Sequence, residues 1–170
     1  RPETSLEALV RLPTVFDPDG FVTAGNASGI VDGAAMLLLT SEGWARRREL
    51  APLARLLSWA VVGVEPARMG IGPAPAIRQA LASAGLRQEE IDLFEINEAF
   101  AGQILAVVRE LDLDEERLNV NGGAIALGHP LGATGARLVL TLAKELARRG
   151  GGRGVAAACI GGGQGIALVL

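Results

Sequence analysis

Apolar residues recur along this chain with two periods, and the change from one to the other marks its elements. In "ATGARLVLTLAKELARRG" (133–150), Leu138, Leu142 and Leu146 stand four apart, the spacing of one helix face. Its last turn carries Lys144, Arg148 and Arg149, which suits the negative end of a helix dipole. "PAPAIRQALASAG" (73–85) predicts another helix, with proline near its start and glycine at its end. "EAFAGQILAVVREL" (98–111) predicts a third. Between them lie short apolar runs that read as strands: "LARLLSWAVVG" (53–63), "IDLFEIN" (91–97), "LNVNG" (118–122), "RGVAAACIG" (153–161) and "QGIALVL" (164–170). The order from residue 53 is βαβαβαββ, which predicts an α/β fold with a mixed five-stranded sheet covered by helices.

The first 52 residues break this rhythm. "TSLEALVRL" (4–12) predicts a short helix behind a capping residue, and residues 13–29 are rich in proline, glycine and asparagine, as irregular loops are. "AAMLLLTS" (34–41) is a continuous apolar run that reads as a buried strand, followed by a short surface helix in "EGWARRREL" (42–50). That strand has no evident partner among these residues.

Composition narrows the function classes. The chain is 49% hydrophobic but only 4% aromatic, so its core is expected to be built from Ala, Val, Leu and Ile. A net charge of −3 without a basic block argues against nucleic-acid binding. No apolar run reaches the roughly 18 residues of a membrane span. A single cysteine, Cys159, excludes an internal disulfide, and with the single histidine, His129, it cannot form a zinc site; no metal is expected. The expected setting is reducing and intracellular. The start, "RPETSLEALVRLP", lacks a signal-peptide layout and an initiator methionine, so a longer chain is expected.

The chemistry gathers at the glycines, 13 of 23 of which follow residue 120. "GHPLGATG" leads into a helix, where anions bind readily, but the terminal Gly-Lys-Ser/Thr of a phosphate loop is missing and the Rossmann spacing is absent. The other reading is a thiol and an imidazole at work. Glycines after Cys159 clear space and offer N–H groups to an oxyanion, and His129 in a Gly-His-Pro turn can exchange a proton. Against this stands an ordinary buried cysteine and a structural histidine. "EINEAF" (95–100) puts Asn97 and Glu98 at a strand's carboxyl end, where ligand sites form in open sheets, although Asn97 also suits a helix cap.

Taken together, "GNASGIVDGAA" (25–35), "NEAF" (97–100), "NVNGGAIALGHPLGATGAR" (119–137) and "CIGGGQG" (159–165) resemble the thiolases, specifically the acetyl-CoA acetyltransferase type, over essentially the whole chain. Acyl-carrier-type condensing enzymes resemble it in architecture only. The resemblance implies a ping-pong exchange of CoA thioesters, the reversible Claisen condensation and thiolysis of 3-ketoacyl-CoA in fatty acid metabolism. CoA thioesters are then substrates and no cofactor is needed. It implies that Cys159 is the acid/base at the acetyl methyl carbon. His129 would activate the nucleophile and donate to the thioester oxygen. Asn97 would hold a water in the same oxyanion hole, and the Gly161 N–H would serve a second one. Ser28, Ala24 and Ala27 would lie along the pantetheine arm, with Phe16, Met69, Ala99 and Phe100 lining its tunnel. It further implies a cytoplasmic homodimer or homotetramer.

One departure is large: thiolases carry a nucleophilic cysteine in the first of two similar halves, and no second cysteine is present here. The expectation is therefore a C-terminal portion. Residues 1–30 would end the CoA-binding loop domain, 31–52 would be the last strand and helix of the first half, and 53–170 the C-terminal domain. Alone it would be inactive, needing the missing half. The rival is a stand-alone half that serves as a binding or assembly module.

Overall fold

A computed structural model describes residues 1–170. Four strands form one mixed sheet: β1 (Ser58–Gly63), β2 (Leu93–Ile96), β3 (Gly154–Ile160) and β4 (Gln164–Val169), in the order β1-β4-β3-β2. β4 runs antiparallel to both β1 and β3, whereas β2 and β3 are parallel. The parallel pair is joined through three helices, α4 (Ala101–Leu111), α5 (Ala124–Leu127) and α6 (Thr134–Arg148).

The sheet's two faces are filled by different helices, as strand alternation requires. Phe94, Ile96, Val155, Ala157, Ala167 and Val169 point toward α3 (Pro73–Ala84) and α4, meeting Ile77, Leu81 and Val107. Leu93 and Ala156 point the other way, onto Leu138, Leu142 and Leu146 of α6. α3 begins at a proline and has Gly85 as its C-cap, as its sequence predicts. Its start lies against β4: a Cβ on Gly165 would stand 2.0 Å from the Gly72 carbonyl oxygen, so only glycine permits this approach. α6 covers β2 and β3 but not β1, and there Trp59 (65% exposed) and Val61 stay open.

Two predicted strands are corrected. The sheet has four strands rather than five, because "LNVNG" makes a single parallel bridge, Leu118 to Phe94, and then turns. Asn119 takes a left-handed conformation (φ 47°). Its side chain does the work of further strand, accepting from the Ile96 N–H at 2.8 Å and donating to the Ile96 carbonyl at 2.9 Å. The run 34–41 is also not a strand. A strand needs a hydrogen-bonding neighbour, and none of these residues pairs. Met36 and Leu38 are 88% and 78% exposed.

The segment before β1 contains two short helices, α1 (Leu6–Leu9) and α2 (Glu42–Arg47), capped by Ser5 and Ser41. Ala45 is its only buried residue.

Candidate active site at the carboxyl end of β2 and β3

The parallel register pairs Ile96 with Ala157, so Asn97 and Cys159 leave the sheet at the same end. The N–H of Asn97 extends the ladder by donating to the Ala157 carbonyl (2.9 Å). Its side chain is 1% exposed and lies with Nδ2 3.5 Å from Nε2 of His129. Oδ1 of Asn97 is buried and has no hydrogen-bond partner. This oxygen is thus an acceptor that the protein's own donors leave open at this end of the sheet. Asn97 does not cap α4. The cap residue is Phe100, and the free Ala99 N–H is taken by Oε1 of Gln103 at 3.0 Å.

His129 is held on three sides. Its N–H donates to the Gly29 carbonyl (2.8 Å), and Nδ1 lies 2.7 Å from Oγ1 of Thr134. Thr134 uses its one hydroxyl proton on the Pro130 carbonyl (3.0 Å). The assignment that satisfies all three contacts puts the proton on Nδ1, donating to Oγ1, and leaves the lone pair on Nε2, facing the Asn97 amide. Burial, assisted by the nearby Arg137 charge, lowers the imidazole below its ordinary value of 6.5. The ring is thus a neutral proton acceptor at neutral pH.

Beneath the pair lies Glu95, 2% exposed, whose carboxylate is 3.3 Å from Nη1 of Arg137. Burial pushes this carboxyl up to about 7, against the pull of Arg137. Glu98, beside Asn97, accepts from Nδ2 of Asn119 (2.8 Å) and from the Ile125 N–H (3.2 Å).

Cys159 is half-buried at the end of β3, and burial raises its thiol above 9.0. It makes no hydrogen bond with Asn97 or His129; it shares with Asn97 the carboxyl end of the parallel strand pair. Gly161 opens the turn into β4, and the space where its Cβ would be is empty, leaving its backbone accessible.

The early loop is fastened to this end of the molecule by main-chain bonds. Ser28 donates from N and Oγ to the Ala99 carbonyl (3.0 and 3.1 Å), and Ala27 bridges Phe100. The rings of Phe16 and Phe100 meet edge-on with centroids 6.1 Å apart. Met69 belongs to a 3-10 turn (Pro66–Ile71) tied to α4, where Nε2 of Gln103 donates to the Gly70 carbonyl. Ala24 is exposed in a turn of the early loop. An open cleft of about 400 Å³ runs between Val31–Ala35 and Pro130–Ala133, next to His129.

Sequence reading passed over Thr134, Asn119 and the Glu95–Arg137 pair. Asn119 and the Glu95–Arg137 pair act across more than twenty residues, while Thr134 reaches only four and five positions back, to Pro130 and His129, from the first turn of a helix; only the unusual density of asparagine and glycine in "NVNGG" marked one of them.

Residues 50–170 match the family model described as thiolase, C-terminal domain, and residues 1–43 match thiolase, N-terminal domain. The chain is 56% identical over its full length to human mitochondrial 3-ketoacyl-CoA thiolase and 56% identical to an acetyl-CoA acetyltransferase of Pseudomonas aeruginosa. It spans 43% of the length of each. The crystal structure of human mitochondrial 3-ketoacyl-CoA thiolase in complex with CoA superposes with a TM-score of 0.93 at 55% identity, covering 99% of this chain and 43% of that one.

Proposed function

This chain belongs to the thiolase family, and on that premise we propose that it supplies the acid–base half of a CoA-thioester acyltransferase whose nucleophilic cysteine lies outside these residues. The observation that carries the reading is the Asn97–His129 pair, with an unprotonated Nε2 and an orphaned Oδ1, at the sheet end that also bears Cys159.

In thiolysis, Nε2 of His129 takes the proton of the nucleophilic thiol, and the thiolate attacks the 3-keto carbon. The bond between that carbon and the thioester's α-carbon breaks. The resulting acetyl-CoA enolate takes a proton from the Cys159 thiol, which its raised pKa keeps protonated for that purpose. Cys159 then accepts the proton of an incoming CoA, whose sulfur takes the acyl group; the bond from the acyl carbon to the enzyme's nucleophilic sulfur breaks, and that sulfur recovers its proton from His129. Condensation is the same sequence reversed.

Charge on the thioester oxygen is met by His129 and by a water donating to Asn97 Oδ1 in one hole, and by the Gly161 N–H in the other. Ser28, Ala24, Ala27, Phe16, Met69, Ala99 and Phe100 form the wall for the pantetheine arm. CoA thioesters are the substrates, with no further cofactor. We assign residues 1–30, 31–52 and 53–170 to the loop domain, the first half and the C-terminal domain. A cytoplasmic setting and a dimeric or tetrameric assembly complete the reading; relatives bear both mitochondrial and cytosolic names.

In the whole protein, Cys159→Ala lowers 3-ketoacyl-CoA thiolysis by about a hundredfold or more, the usual weight of general acid–base catalysis, and leaves the fold intact. Wild-type turnover in that variant would remove the acid/base role. The rival reading is a stand-alone half that acts by binding alone, and the exposed Met36 and Leu38, a liability in a stand-alone protein, weigh against it. Intact mass separates the two: a molecule well above 17.5 kDa supports the enzyme, whereas 17.5 kDa supports the module.

A further inference from the structure

The two loops that carry Asn97 and His129 share one carboxylate. Glu98 directly follows Asn97, and its two oxygens point into the 119–129 loop, one receiving Nδ2 of Asn119 and the other the Ile125 N–H in the first turn of α5. Asn119 is itself pinned to the strand that ends at Asn97, through both its amide atoms on Ile96 and its N–H on the Phe94 carbonyl. The loop wraps the carboxylate closely: a Cβ on Gly123 would lie 1.9 Å from the Glu98 carboxyl carbon. Such a fit leaves room for a carboxylate's two acceptor oxygens and for no side chain opposite them. From Ile125 the chain runs through α5 directly into Gly128 and His129.

We propose that Glu98 is a positioning residue for the reaction: it fixes the His129 loop against β2 and so sets the 3.5 Å separation of His129 Nε2 from Asn97 Nδ2. The inference rests on the reading of Asn97 and His129 given above. A carboxylate suits the task because two donors from two points of the loop must be held at once, and a neutral amide offers one acceptor oxygen. Misplacement of a reacting group by about 1 Å can cost about a hundredfold in rate.

The test measures kcat, KM and melting temperature for Glu98→Gln, Glu98→Ala, His129→Ala and the double variant Glu98→Gln/His129→Ala in the whole protein. Expected are a fall in kcat of about tenfold for Glu98→Gln and about a hundredfold for Glu98→Ala, with KM for the acyl-CoA nearly unchanged. Because Glu98 acts through the imidazole, Glu98→Gln has no further effect once His129 is gone; groups that act as a unit are non-additive. Wild-type kcat in Glu98→Gln, or a loss that multiplies in full with that of His129→Ala, overturns the proposal. Should Glu98→Ala fail to fold, Glu98→Gln and the double variant decide it. Undiminished turnover in His129→Ala would instead sink the underlying functional reading, which keeps the two failures distinct.

Discussion

Residues before β1 and residues from β1 onward obey different rules. The later part closes a core on both faces of its sheet, with Phe94, Ile77, Leu142 and Val155 at 1% exposure or less. The earlier part buries Ala45 alone and keeps its shape by capping, turns and main-chain bonds to its neighbour. Both are apolar in sequence, so apolarity alone does not make a core. A run such as "AAMLLLTS" becomes interior only when another surface meets it, whereas the later strands find theirs within the same sheet.

Leu142→Ala puts the largest strain on this contrast. Its side chain is fully buried between α6 and β3, so truncation is expected to cost about 2–5 kcal/mol in denaturant unfolding. Gly165→Ala follows, since the added Cβ meets backbone at the start of α3; a loss of about 1–3 kcal/mol or more is expected from overpacking. Ser28→Ala removes one side-chain bond while its N–H still reaches Ala99, and about 0.5–1.5 kcal/mol is expected. Leu38→Ser, 78% exposed, is expected to shift the unfolding of these 170 residues by no more than about 0.5 kcal/mol. If Leu38→Ser proved as costly as Leu142→Ala, the contrast would collapse and the segment would have to be covered.

What the sequence made legible followed from local physics. α3 and α6 were readable because Pro73, Gly85 and the Leu138, Leu142, Leu146 stripe act within a few turns of their own backbone. Cys159, His129 and Asn97 could be picked out by chemistry and by family resemblance. The tautomer of His129 could not, since it depends on where Thr134 spends its proton. "LNVNG" misled because Asn119 imitates a strand with its side chain, and a pattern of apolar and polar positions does not register which backbone groups a polar side chain will bond. Glu98 was seen as half of a polar pair, yet its hold on the 119–125 loop spans more than twenty residues of sequence.

The segment Asn26–Gly29 touches both sides of the site through its main chain, receiving Ala101 N–H at Asn26 and His129 N–H at Gly29 while Ser28 N–H reaches Ala99. Bonds of this kind carry no memory of side-chain identity. Side chains along 26–29 can therefore be exchanged while this strap goes on tying the Asn97 loop to the His129 loop, because the atoms that tie them belong to the backbone that every residue but proline carries in full.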